Sequence, residues 1–147
     1  MTVAKEKLGR MLRDYNRDIK PEDWIGIICG IKGMSRTEAR HFLRKETPHE
    51  PYFQKKIMEG LKEKYPDALV LKVAQGFFSE SGVPDIMCVI KGHYFGIEVK
   101  RPLFGKPEDC QKRFAERIRK AGGTVITASY LEEAIREIDA YFYKLPG

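Results

Sequence analysis

The sequence predicts an α/β domain, a mixed sheet flanked by helices, entered through a shorter all-helical extension. Three observations predict it. From Thr47 onward, helical periodicity and strand-like apolar runs alternate in the order helix, three strands, helix, strand, helix. Two of those runs, "DIMCVI" and "HYFGIEVK", are separated only by Lys91-Gly92, the signal of a two-residue hairpin turn. Before Thr47 the signals are all helical. With 147 residues the chain suits one modest core plus an appendage, so the expected division is a helical extension over 1–47 and a domain over 48–147.

Each element has its own signature. Residues 3 to 17 carry an amphipathic pattern through Leu8, Met11, Leu12 and Tyr15. "PEDWIGIICG" places Pro21 and two acids in a first helical turn and a glycine, Gly30, where the helix would stop, with Trp24 packing the extension. "SRTEARHFLRK" opens on a capping box, Ser35 with Glu38. Short helices around a glycine-containing turn faintly resemble a helix-turn-helix; a helical cap on the next domain is the simpler reading. "TPHE" repeats the start signal, Thr47 as N-cap, Pro48 in the first position and Glu50 three residues on. The helix should run to about Lys64 and bury Phe53, Ile57, Met58 and Leu61. "ALVLKV" is the first strand, "AQGFFSESG" a loop, then the hairpin. A basic helix from about Glu108 to Lys120 ends at Gly122-Gly123, "TVITA" is the fourth strand, and "SYLEEAIREIDAYFYKL" closes the chain as an amphipathic helix.

A net charge of +6 suits a nucleic-acid partner without establishing one. Cys29, Cys88 and Cys110 are far apart and odd in number, which argues against a disulfide framework or zinc knuckle and for a reducing cytoplasm. The charged start "MTVAKEKLGRMLRDYNRD" lacks the apolar core of a signal peptide, and no run approaches the length of a membrane span.

The hairpin carries the chemistry. With Lys91-Gly92 as the turn, Ile90 faces His93, Met87 faces Gly96, Ile86 faces Ile97 and Asp85 faces Glu98. Alternation puts Asp85, Met87, Tyr94, Gly96, Glu98 and Lys100 on one face, and Ile86, Cys88, Ile90, Phe95, Ile97 and Val99 on a helix-covered core face. Two opposed carboxylates about 5 Å apart repel and destabilise the pair. Something must offset them: Lys100 in part, and a divalent cation better, because hard oxygen ligands suit Mg²⁺ or Mn²⁺. A cation there could hold a scissile phosphate, with Lys100 positioned to place water or stabilise developing charge.

At these residues the sequence resembles the PD-(D/E)xK nuclease superfamily, "VPD" at 83–85 and "EVK" at 98–100 being the two halves of its signature. Together with Gln111, in a helix ending "AGG", the run is most similar to stand-alone VRR-NUC nucleases of phages and bacteria, with archaeal Holliday-junction resolvases next. The resemblance spans about residues 48 to 142 and implies a restriction-endonuclease-like fold. It implies Asp85, Glu98 and the carbonyl of Val99 as metal ligands for Mg²⁺ or Mn²⁺, and Lys100 as the catalytic lysine. Glu50, or less well Glu59, is the acid of the first helix, in catalysis or metal support, and Gln111 serves in phosphate contact or support of the ligands. It further implies an endodeoxyribonuclease acting as a homodimer on branched DNA such as a Holliday junction. Lys72, Ser81, Arg113 and Arg117 are the expected DNA contacts, with Ser79, Glu80, Arg119 and Lys120 nearby, and His93 a surface or core-edge residue rather than a ligand. The competing reading is a non-catalytic DNA-binding or protein-interaction module on the same fold, which would have no reason to keep opposed acids.

Overall fold

A computed structural model describes residues 21–74, 80–102 and 104–146, leaving out the side chains of residues 21–24, 31 and 32. The helix expected over 3–17, the packing of Trp24 and the position of Ser79 lie outside the described residues. The elements are α1 (Pro21–Lys32), α2 (Arg36–Glu46), α3 (Glu50–Lys64), β1 (Leu69–Lys72), β2 (Ile86–Ile90), β3 (His93–Val99), α4 (Asp109–Lys120), β4 (Thr124–Ala128) and α5 (Leu131–Lys144). From α3 onward this is the expected order. None of the described helices is long and apolar enough to cross a membrane.

The chain forms two compact units, one holding the helices before Glu50 with Arg101–Gly105, the other Glu50–Lys100 with the chain from Lys106. In the first, Ile25, Ile28, Ala39 and Leu43 are buried together, with Met34, Phe42 and Phe104 against them. The guanidinium groups of Arg44 and Arg101 both lie over the phenyl ring of Phe104, 4.8 and 5.3 Å from its centre.

Two boundaries differ from expectation. Helix α1 runs through Gly30 and stops at Gly33, whose φ of +63° and N–H bond to the Cys29 carbonyl (3.0 Å) make the left-handed stop. Ser35 does cap α2, accepting the Glu38 N–H at 3.2 Å. Thr47, expected to open the next helix, instead closes α2: its N–H and its hydroxyl both donate to the Leu43 carbonyl, at 3.0 and 2.7 Å. The cause is Pro48, which holds the preceding residue in extended backbone (φ −73°, ψ 125°) and ends the helix there. The Arg101 guanidinium then takes the carbonyls of Arg44, Thr47 and Pro48, groups that a helix end leaves without intrahelical partners. Helix α3 starts at Glu50, with Pro51 in the first turn, where its missing N–H costs nothing.

The second unit is a four-stranded mixed sheet in the order β1-β2-β3-β4, antiparallel except for the parallel β3–β4 pair, with helices on both faces. This mixed sheet flanked by helices is the expected α/β class. The hairpin register is the one counted from the sequence: Ile86 faces Ile97, Met87 faces Gly96 and Ile90 faces His93. Lys91 (φ 51°) and Gly92 (φ 81°) both take the left-handed conformation a tight two-residue turn demands. Ile86, Cys88, Phe95, Ile97 and Val99 are buried under Phe53, Ile57 and Leu61 of α3 and Ala134 and Ile138 of α5. Each large side chain so buried contributes about 1.5–3 kcal/mol. His93 takes the second of its two expected places, the core edge, its Nδ1 2.8 Å from the Tyr141 hydroxyl. Position 58 departs from expectation: Met58 is only half-buried, and the neighbouring helical position that goes inside is the polar Gln54.

Candidate active site

Helix α4 crosses the opposite face of the sheet, burying Ala115 and enclosing with β3 and β4 a cavity of ≈ 360 Å³ whose wall includes Pro84, Glu98, Gln111, Arg119 and Thr127. The loop from Glu80 to Asp85 brings the first half of the signature to this face. Gly82 has a φ of +92°, and a Cβ built on it would lie 2.2 Å from the Cys110 carbonyl oxygen, so the loop backbone is pressed against the first turn of α4. Pro84 in turn lies over Gly96, where a Cβ would meet its ring at 2.8 Å. Gly82→Ala should therefore both strain the backbone and clash. The expected loss is on the order of 1–3 kcal/mol, read as a lowered denaturant midpoint with an unchanged m-value.

Asp85 stands just outside β2 and closes the ladder with both backbone and side chain. Its carbonyl accepts the Val73 N–H (2.8 Å) and its Oδ2 accepts the Val99 N–H (2.8 Å). This fixes the carboxylate against the end of β3 and lets it share a hydrogen bond with Glu98. Glu98 is only 4% exposed and Lys100 only 7%. Burial, then the hydrogen bond and charge of Asp85, then the charge of Glu50, push the Glu98 carboxyl up to about 9; Lys100 pulls the other way. The two opposed acids and the lysine thus converge, with Glu50 at the start of α3 close enough to be felt.

Gln111 holds Glu98 from α4. Its Nε2 donates to Glu98 Oε1 at 2.9 Å, while its Oε1 accepts the Glu108 N–H at 2.8 Å as half of a capping box. Both ends of the amide are engaged, so the nitrogen must face the carboxylate. The E-x-x-Q spacing of Glu108 and Gln111 is a capping signature visible in the sequence; its second role is visible only in three dimensions.

The remaining expected residues spread out. Lys72 ends β1, paired with Ile86 and exposed. Ser81 is exposed in the loop beside Gly82. Arg113 is exposed on α4; Arg117 is ion-paired with Glu80 and lies over the Phe114 ring at 5.0 Å. Glu59 lines a separate recess together with Lys72. Among the described residues no three His, Cys, Asp or Glu side chains group tightly enough to hold an ion on their own. A cation here would rest on the Asp85–Glu98 pair and backbone oxygen, and the donor set fits one: hard oxygens, and a buried carboxyl that otherwise has to keep its proton.

No family model matches the chain, and no curated protein matches it. A solved structure titled "VRR_NUC domain" is similar to it at 27% identity, the match covering 60% of this chain and 96% of that chain with a TM-score of 0.49.

Proposed function

We propose that this protein is a metal-dependent endodeoxyribonuclease. The observation that carries the reading is the convergence at the end of the hairpin of a half-buried Asp85 with Glu98, which is buried beside Lys100. Asp85, Glu98 and the carbonyl of Val99 would hold Mg²⁺ or Mn²⁺, with Glu50 adding charge. Such an ion, when bound, supplies Lewis acidity at the scissile phosphate and lowers the pKa of water. The protein's own groups do the rest. The Val99 N–H fixes Asp85, and the Gln111 amide fixes Glu98, so neither carboxylate has to reorganise as substrate arrives. Lys100, buried beside Glu98, orients the attacking water and offsets charge developing on the phosphate oxygens. The substrate class we propose is branched DNA cut by a homodimer, because paired cuts across a two-fold junction call for two symmetry-related sites.

Cleavage of a panel of junctions, flaps and duplexes tests this. Cutting is expected with Mg²⁺ or Mn²⁺ and none with EDTA; Ca²⁺ should support binding with little turnover, its looser ligation being a poorer activator of water. Undiminished cutting in EDTA would overturn the mechanism. Sedimentation of the free protein and of its junction complex tests the dimer.

A further inference from the structure

Helix α3 carries a second polar feature one turn beyond Glu50. A recess of ≈ 300 Å³ opens between α3 and the end of β1, walled by Gln54, Lys55, Met58, Glu59, Lys62 and Lys72. We infer that this recess seats a backbone phosphate of the bound strand, one or two nucleotides from the bond being cut. The inference rests on the nuclease reading above.

Three observations carry it. The first is Gln54, a polar side chain only 9% exposed on the face of α3 that otherwise packs Phe53, Ile57 and Leu61. Among the described residues nothing hydrogen-bonds its amide, although no fully buried polar atom lacks a partner, so the amide is left to the recess it lines. Its polar atoms therefore keep accessible surface, open to a partner that enters the recess. A phosphate oxygen would accept from its Nε2. The second is charge: three lysines against the single acid Glu59, in a concavity that concentrates their field. The third is place. Gln54 is four residues from Glu50, about 6 Å along the helix axis, comparable to the step between successive phosphates of a strand. Lys72 pairs with Ile86, the residue after Asp85, and the Val73 N–H holds the Asp85 carbonyl, so recess and acids share the end of the β1–β2 ladder. By contrast Arg117 on α4 already has an acidic partner in Glu80.

The test uses the full chain and a fluorescein-labelled junction with one mapped cut, bound in Ca²⁺ and in EDTA at several salt concentrations. Lys55 and Lys62 are exposed, so Lys55→Gln/Lys62→Gln should keep the wild-type melting temperature. It should lose about tenfold in affinity and reduce the salt slope by about one. Replacing phosphates one at a time by neutral methylphosphonates should reveal one internal position within two nucleotides of the cut that weakens wild type about tenfold and the double variant hardly at all. Gln54→Leu should raise KM with little change in kcat. Unchanged affinity and slope in the double variant, methylphosphonate losses equal in both proteins, dependence on a 5′-terminal phosphate instead, or an unchanged KM in Gln54→Leu would each overturn the phosphate seat while leaving the nuclease intact. A wild type that neither binds nor cuts DNA would instead overturn the nuclease reading, and this inference with it.

Discussion

Stripped of divalent metal, the Glu98→Gln protein is expected to melt above wild type at about pH 8, and the two should converge as pH falls below the ordinary carboxylate range. The folded Glu98 carboxyl titrates near 9 and the unfolded one near 4.5, so between those values the unfolded chain has released a proton that the fold retains. Wild-type stability therefore declines as pH rises from about 4.5 and levels off only above about 9, a difference on the order of a few kcal/mol at about pH 8. Glutamine has no proton to lose. Its Oε1 still accepts from Gln111 and its NH₂ can donate to Asp85, as the protonated acid does. Adding Mg²⁺ should close much of that gap: wild type gains stability by binding the ion only when folded, about 2.7 kcal/mol at a hundredfold excess over Kd, and the amide variant loses most of that gain. Cleavage by Glu98→Gln should fall at least about a hundredfold, since several kcal/mol of transition-state stabilisation go with the ligand. Asp85→Asn should follow the same pattern. Melts across pH with EDTA and with Mg²⁺, alongside cleavage assays, check all of this; variants that are less stable without metal and still cut would make the hairpin acids structural.

Lys100→Met should separate charge from ligation. Methionine fills much of the space of the buried stem, so the change removes chiefly the ammonium. Cleavage should fall about 10²–10³-fold, the range for losing one preorganised electrostatic group. The rise in melting temperature on adding Mg²⁺ should survive, because Asp85, Glu98 and the Val99 carbonyl remain. In the metal-free variant the loss of stability should continue to higher pH than in wild type, since Lys100 is what pulls the Glu98 carboxyl back down. A variant that no longer responds to metal would place Lys100 in holding the site together instead.

What could be read in advance depended on whether a residue's role was local. The hairpin was legible because side-chain alternation and a two-residue turn leave one register, and that register alone opposes Asp85 to Glu98. The order of elements from α3 to α5 was legible for the same reason, each period and stop signal lying within its own segment. Thr47 was misassigned because two caps compete for it, and the outcome turns on Pro48. Gln54 gave no signal at all: a glutamine on a helix reads as solvent-facing until the fold puts it inside. Arg117 looked like a free cation in the sequence, and only the path of the loop through Glu80 gives it a partner.

The doubly bonded amide of Gln111 also bears on which sequences this fold can accept. Alanine would forfeit both bonds. Asparagine, shorter by a methylene, could not span from the Glu108 N–H to the Glu98 carboxylate. Glutamate would keep the cap and set another negative charge against a carboxyl already crowded by Asp85 and Glu50; lysine would supply a donor to Glu98 but no acceptor for the cap. Two unrelated demands, ending a loop and aiming a carboxylate, leave one residue type that meets both. A saturation library at this position, sorted first for folding and then for cleavage, should return glutamine from the second sort almost alone, though several residues pass the first.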